Sequence, residues 1–458
     1  MNISALVQAQ KNHFASQKTK DILTRKELLK KLLSEIIKRE KDIINALYLD
    51  FKKSEYESVM TETSIVISDL KRTIKKMHHW AKPQSVMPAV LNFPSSSKIY
   101  KEPYGTTLII APWNYPYQLA LVPLIGAIAA GNTVVLKPSE LTPNTSKITK
   151  EVLDAVFDQK SVAVVEGGVE VSTQLLAQRW DYIFFTGSVQ VGKIVAKAAA
   201  QFLTPVTLEL GGKNPCIIDE SANIKLTAKR IVWGKFINGG QTCIAPDYLL
   251  IHKSVKEKFV TCFKEEVEIA YGNNPEDSTD YPRIINQRNF DRLDAMLKNE
   301  NFLVGGNTNR EDNYIAPTLI DEPSLDSEVM KGEIFGPISP VISYESEDDL
   351  EKIISKYEKP LALYVFTKKK SFTNKMIAKY SFGGGTINDT TVHFANHNLP
   401  FGGVGESGVG AYHGKQTFDV FSHKKGITKR YNWLDLTIRY APYKGKLKTL
   451  KAFMKLLS

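Results

Sequence analysis

The chain has 458 residues, 43% hydrophobic and 24% charged, with three cysteines and a formal net charge of +11. These proportions suit a folded globular protein and exclude a disordered, collagen-like or low-complexity chain. Three cysteines build no disulfide framework, and the length predicts about two or three domains. Six cations, Arg439, Lys444, Lys446, Lys448, Lys451 and Lys455, lie in the last 23 residues, which hold no acid. A nucleic-acid binder concentrates basic charge on a folded face with interleaved aromatics, so nucleic acid is not expected as a partner. The start carries no apolar core long enough for a secretory signal. Elsewhere the longest apolar stretch, 119–130, is 12 residues and contains Pro123 and Gly126, against about 20 needed to span a bilayer. A cytoplasmic location is expected.

In chain order, the first eighty residues read as helical. Ile22, Leu23, Leu28, Leu29, Leu32, Leu33, Ile36 and Ile37 recur at near-3.6 spacing among Lys and Glu. Prolines between 83 and 94 predict a break or crossover. Strands are then predicted at 107–110, 133–136, 162–165, 182–185 and 206–209. Helices are predicted between them at 119–130, 146–157, 171–178 and 189–200. Such alternation predicts a parallel, doubly wound sheet covered on both faces. Gly211-Gly212 marks a boundary, beyond which a second α/β region ends in glycine-dense segments around 382–385 and 401–405. The fold class is α/β with two domains.

Ligands of open parallel sheets bind beyond the carboxyl ends of the strands. Gly187-Ser188-Val189-Gln190-Val191-Gly192-Lys193 follows a predicted strand and opens a helix, whose N-terminus favours a phosphate. Ile194 stands where a P-loop needs Ser or Thr, so on the residues alone the turn is either a phosphate site or a plain structural turn. Cys243 follows Gly239-Gly240-Gln241-Thr242, where neighbouring amide dipoles could lower its pKa and make a nucleophile. The alternative is a buried, inert thiol, which is the expectation for Cys216 and Cys262. Glu209 ends an apolar strand before Gly211-Gly212, either as a base of raised pKa or as an acceptor for the turn amides. Asn114, in Ala111-Pro112-Trp113-Asn114-Tyr115-Pro116, either donates to an oxyanion or caps the next helix. His78-His79, His393, His397, His413 and His423 show no metal-ligand spacing, the cysteines form no CxxC, and no GxSxG is present. No metal is expected.

Assembled, the chain resembles the aldehyde dehydrogenase superfamily, and within it the class 3 branch that acts on fatty and aromatic aldehydes. Seven segments carry the resemblance in order. They are Ala111-Pro112-Trp113-Asn114, the run from Gly131 to Glu140, Phe185-Thr186-Gly187-Ser188, Leu208-Glu209-Leu210-Gly211-Gly212-Lys213, Gly240-Gln241-Thr242-Cys243, Glu333-Ile334-Phe335-Gly336-Pro337, and Leu399 to Gly405. Tyr412-His413-Gly414-Lys415 adds a class 3 feature, and Glu406 departs from the small or amide residue of many relatives. That departure is expected to affect the surface near the site rather than the chemistry.

The resemblance implies two Rossmann-like domains with a small bridging and oligomerisation element. Residues 1–82 and 104–210 would bind NAD, 211–396 would carry the nucleophile, 83–103 and 397–430 would form the bridge, and 431–458 a basic tail. It further implies NAD(P)-dependent oxidation of an aldehyde to an acid, with NAD chosen and NADP left open. Cys243 would be the nucleophile, Asn114 an oxyanion donor and Glu209 the base that deacylates the thioester. Lys137 and Glu140 would meet the adenosine ribose, and Thr186, Gly187, Ser188 and Gly192 the pyrophosphate. Glu333 would hold the nicotinamide ribose, with Phe335 and Phe401 near the ring. Tyr115, Leu119, Trp233, Ile237, Phe394 and Phe401 would line the substrate passage, for medium- or long-chain aliphatic or aromatic aldehydes. A polyene aldehyde and a CoA-acylating reaction are the alternatives, the second disfavoured by Glu209. A homodimer is implied. The tail from Tyr443 places Leu447, Leu450, Phe453, Met454 and Leu457 on one helical stripe, suited to peripheral contact with an anionic membrane face or to docking on a partner subunit.

Overall fold

The computed structural model describes residues 2–457. Helices dominate the start of the chain, and local chemistry fixes their ends. Asp21 accepts hydrogen bonds from the Leu23 and Thr24 amides and so begins the helix Ile22–Lys38, which buries Leu29, Leu32 and Ile36. These helices pack against another, Gln118–Ala130, all of whose residues are buried. Pro123 lies inside it, within a helix that neighbouring elements cover on every face.

The first sheet has six strands in the order Gly408–Val409, Val206–Glu209, Tyr182–Thr186, Thr106–Ile110, Thr133–Lys137 and Val162–Val164. All neighbours are parallel except the first pair, where Gly408 lies opposite Glu209. The expected strands are present, three of them one residue longer at Thr106, Lys137 and Thr186, while the one expected at 162–165 ends at Val164. The helix expected at 146–157 runs instead over Pro143–Asp154, because Pro143 sits in the first turn, where its missing N–H costs nothing. The helix expected at 171–178 is Val169–Leu176.

A second sheet has seven strands, Phe302–Val304, Thr318–Asp321, Ile338–Tyr344, Tyr248–His252, Pro215–Ile218, Ala362–Phe366 and Gly384–Ile387. Only its first pair is antiparallel. Cys216 is buried on one of its strands, consistent with an inert thiol. A third, antiparallel sheet joins Gln84–Val86, Ser95–Pro103 and Ser422–Arg430. The proline-rich break thus contains a strand, and its neighbour pairs with a distant segment near the end of the chain. Further on, the helix Leu447–Leu457 exposes Leu447, Leu450 and Met454. The side chains of Phe453 and Leu457, also expected on that stripe, lie outside the described residues. Among the described residues no helix is long and apolar enough to cross a membrane.

One close approach ties the buried helix to the late chain. A Cβ placed on Gly126 would stand 2.4 Å from Thr417 Cγ2 and 3.1 Å from the Thr417 carbonyl carbon. Gly126→Ala is therefore expected to destabilise the protein by about 1–3 kcal/mol, read as a lowered thermal midpoint. Adding Thr417→Ser, which removes the opposing methyl, should recover part of the loss.

Candidate active site

The carboxyl ends of four parallel strands meet at one edge of the first sheet. Lys137, Thr186 and Glu209 are the last residues of their strands, and Asn114 lies just beyond the strand Thr106–Ile110. Cys243 approaches from the second sheet on a loop that follows the helix Ile224–Phe236. Asn238, Gly239 and Gly240 all have left-handed backbones, with φ of 55°, 61° and 74°. A Cβ on Gly240 would lie 2.3 Å from the Gly336 carbonyl oxygen, so only glycine fits there.

Buried amides hold this loop. Gln241 Nε2 donates to the Asn238 and Arg283 carbonyls at 3.0 and 3.1 Å, while its Oε1 accepts from the Ile285 amide at 3.0 Å. Asn114 Nδ2 donates to the Gln241 carbonyl at 3.0 Å, and Asn238 Nδ2 donates to the Asn114 carbonyl at 2.8 Å. Asn114 therefore does not cap the helix that follows it. The Tyr117 and Gln118 amides at that helix start are bound by Glu62 instead.

Cys243 is partly buried and lines a cavity of about 210 Å³. Burial pushes its thiol well above the ordinary range, and the Glu333 and Glu209 carboxylates add to that rise. Its own amide and that of Ile244 pull the other way but are outweighed. The expectation that loop dipoles lower this pKa therefore fails for the free protein: the amides are present, but desolvation of an anion costs more than they return. Glu209 shares the cavity, and neither carboxylate oxygen has a hydrogen-bond partner among the described residues. Burial raises its pKa well above the ordinary carboxylate value. The turn amides do not take up its oxygens, which leaves the carboxylate available as a base.

The cofactor candidates line the same edge. Lys137 pairs with Glu140 at 2.6 Å. The Gly187 amide donates to the Glu209 carbonyl at 3.0 Å, and Ser188 Oγ accepts from the Val191 amide at the start of the helix Val189–Ala200. Gly192 lets that helix approach Leu210, whose Cδ2 would lie 2.7 Å from an added Cβ. Thr186 Oγ1 is buried without a partner among the described residues. Glu333 lies against Gly211, where a Cβ would stand 2.1 Å from Oε2, and its Oε1 has no partner among the described residues. Burial, followed by the Asp247 charge, raises Glu333 to about 8. Phe335 meets Trp113 edge-on at 5.2 Å. Unpartnered buried polar atoms, a helix start and glycines that admit close approach fit a dinucleotide. A buried pair that the sequence reading missed supports this wall: Lys213 Nζ bonds Asp247 at 2.7 Å and the Gly332 carbonyl at 2.8 Å, and Asp247 Oδ1 receives the Ile334 amide.

Tyr115, Leu119, Trp233, Ile237, Phe394 and Phe401 all line the cavity with Cys243 and Glu209. Tyr115 Oη lies 2.7 Å from Thr242 Oγ1. Phe401 stacks on His413 and His393, at 5.2 and 6.2 Å. Burial lowers His413 to about 3 and His393 to about 4, so both imidazoles are neutral and the wall stays uncharged. Glu406 bonds Lys193 at 2.6 Å on the surface beside the Gly187 turn, away from the cavity.

Met60, Thr61 and Ile65 also line the cavity and escaped the sequence reading. They come from the N-terminal helices, at and just after a π-helical segment Val59–Thr63, a kind of irregularity often found at functional sites. No sequence pattern marks it. Among the described residues no group of three or more His, Cys, Asp or Glu side chains could hold a metal ion.

The aldehyde dehydrogenase family pattern matches residues 1–427. The chain is 48% identical over 447 residues to 4,4'-diaponeurosporen-aldehyde dehydrogenase of Staphylococcus aureus, covering 97% of each. It is 41% identical to a dimeric, NADP-preferring aldehyde dehydrogenase of Canis lupus familiaris, over 97% of this chain and 99% of the other. A solved structure of Staphylococcus aureus AldH in a substrate-bound state superposes with a TM-score of 0.97 at 47% identity, over 99% of this chain and 100% of that one. An apolar-walled cavity shared by a thiol and an unpaired carboxylate, beside a dinucleotide-shaped edge, has the same meaning in chemical terms: this chain belongs to the aldehyde dehydrogenase family, with a class 3 character, and oxidises aldehydes with NAD(P).

Proposed function

We propose that Cys243 is the nucleophile, Asn114 an oxyanion donor and Glu209 the deacylating base. The observation that carries this reading is the shared cavity, where Cys243 and an unpartnered Glu209 stand together within apolar walls. The Cys243 thiol gives its proton to solvent water, and the resulting thiolate adds to the aldehyde carbon. Asn114 and the Cys243 amide receive the resulting oxyanion, a type of contact worth about 3–4 kcal/mol. Bound NAD(P) supplies the hydride acceptor. Loss of hydride restores the C=O bond as a thioester on Cys243. Glu209 takes a proton from water, the hydroxide adds to the thioester, the thiolate leaves, and the free acid departs. Lys137 and Glu140 are assigned to the adenosine ribose, the 186–192 turn to the pyrophosphate, and Glu333, Phe335 and Phe401 to the nicotinamide end. Glu140, a carboxylate at the ribose position, disfavours a 2′-phosphate and supports a preference for NAD.

The substrate is a lipophilic aldehyde, of medium or long aliphatic chain or aromatic, supported by walls such as Leu119, Ile237, Phe394 and Met60. A polyene aldehyde is a second reading, supported by the name of the relative at 48% identity. Residues 1–82 with 104–210 are assigned to cofactor binding, 211–396 to the nucleophile, and 83–103 with 397–430 to a bridge that also supports a homodimer through the edge strand Ser422–Arg430. The basic helix Leu447–Leu457 contacts anionic lipid peripherally, supported by exposed Leu447, Leu450 and Met454 among lysines.

Cys243→Ala should abolish aldehyde oxidation while NAD(P) still binds; retained turnover overturns the nucleophile assignment. Glu209→Gln should give a burst of reduced cofactor followed by slow release of acid. Because the pKa of Glu209 is raised, the ionised base gains population as pH rises. Deacylation in the parent should therefore accelerate with pH, and the Gln variant should lose that dependence. Across acetaldehyde, hexanal, dodecanal and benzaldehyde, assayed with and without CoA, kcat/KM should rise with chain length and need no CoA. A strict CoA requirement would leave Glu209 without its role. Full-length protein should sediment with phosphatidylserine vesicles at low salt, and a chain ending at residue 442 should not. Equal behaviour of the two removes the tail from membrane contact.

A further inference from the structure

The N-terminal helices contribute a buried charge cluster that the chemistry above does not use. Lys53 and Glu62 are fully buried and Glu57 nearly so. Lys53 Nζ meets Glu62 Oε1 at 3.1 Å. Glu62 Oε2 accepts from the Tyr117 and Gln118 amides at 3.1 and 2.8 Å, fixing the start of the helix Gln118–Ala130 shortly after Asn114 and Tyr115. Glu57 Oε1 accepts from the Asn238 amide at 2.8 Å, at the first left-handed residue of the Cys243 loop.

We propose that Lys53, Glu57 and Glu62 are positioning residues that hold the Asn114 segment and the Cys243 loop in one reactive register. Two routes lead from the cluster to the reacting atoms. In the first, Glu57 holds the Asn238 amide, and the Asn238 side chain bridges the Asn114 and Gln241 carbonyls at 2.8 and 3.2 Å. In the second, Lys53 Nζ lies 4.7 Å from the centre of the Tyr115 ring, whose hydroxyl bonds Thr242, the residue before the nucleophile. The cluster thus touches both loops and none of the cavity's reacting groups. Buried ion pairs add little stability compared with apolar packing of the same volume. What they impose is direction, because each carboxylate oxygen accepts only at set positions. A register error of about 1 Å between a nucleophile and its oxyanion donor can cost roughly 100-fold in rate. Burial raises Glu57 to about 7, against the opposing pull of Lys53 and the Asn238 amide, with Glu62 and Asp280 pushing the same way as burial. Its site is therefore desolvated, and the amide is the hydrogen-bond donor that the structure gives it.

This inference rests on the roles proposed for Cys243 and Asn114. The test is a rapid-mixing measurement of the cofactor-reduction burst in the full-length enzyme, with NAD(P) affinity measured separately. Glu57→Asp keeps the charge but draws the carboxylate one methylene back from the Asn238 amide. Glu57→Gln keeps the reach and the acceptor without the charge. Both leave a polar group in place, and thermal midpoints check that both fold. The burst should slow about 10-fold or more in Glu57→Asp and return to within about threefold of the parent in Glu57→Gln, with NAD(P) affinity unchanged in both. A parent-like burst in Glu57→Asp overturns the proposal. So does a slowed burst accompanied by an equal loss of NAD(P) affinity, since a general structural defect moves both. Cys243→Ala separates the two readings: a burst that survives there overturns the nucleophile assignment, whereas its absence beside a normal Glu57→Asp overturns the positioning role alone.

Discussion

The site depends on a backbone constraint: three successive left-handed residues, Asn238, Gly239 and Gly240, that bring Cys243 to the edge of the other sheet. Two of the three are glycine, which enters this region without steric cost, and Asn tolerates it better than most L-residues, so the sequence permits the turn and surrounding groups fix its orientation. Here the Gln241 amide, the Asn238 side chain and the Glu57 carboxylate each take a backbone partner within or beside the loop. Gly240 is pressed against the carbonyl of Gly336, the residue that follows Phe335 in the chain. The Cys243 loop and the segment that carries Glu333 and Phe335 are therefore packed as one unit.

A second consequence of this packing is a poorly solvated site. Cys243, Glu209 and Glu333 all have raised pKa values, with burial as the leading cause in each. Their shared direction makes physical sense: three potential anions in one desolvated region cannot all be charged at little cost. Each negative charge is best generated when it is needed, next to the group that stabilises it. The neutral histidines around Phe401 keep that wall free of charge, so the cavity solvates hydrocarbon well and stray ions poorly.

The N-terminal helices share in this arrangement. They supply Met60, Thr61 and Ile65 to the cavity and Lys53, Glu57 and Glu62 to its support. Docking them against the helix Gln118–Ala130 thus does two things at once: it closes the hydrophobic core and fixes the Asn114 segment and the Cys243 loop, which bond to each other.

The amino-acid sequence by itself determined the features that act over a few residues. Strand–helix alternation, the glycine turn at 187, the paired glycines before Cys243 and the acid ending the strand at Glu209 are local patterns, and each leaves a local trace. Even there Pro143 moved a helix start, because a proline in the first turn costs nothing while the apolar periodicity begins later. Only the tertiary structure decided the rest. The family resemblance groups 83–103 with 397–430, but no residue on either edge marks the antiparallel register in which Ser95–Pro103 pairs with Ser422–Arg430. The π-helical turn at Val59–Thr63 and the Lys53–Glu62 pair look, in sequence, like ordinary solvated helix. The sign of the Cys243 shift also lay beyond the sequence, since amide dipoles are a property of the loop but desolvation is a property of everything packed around it.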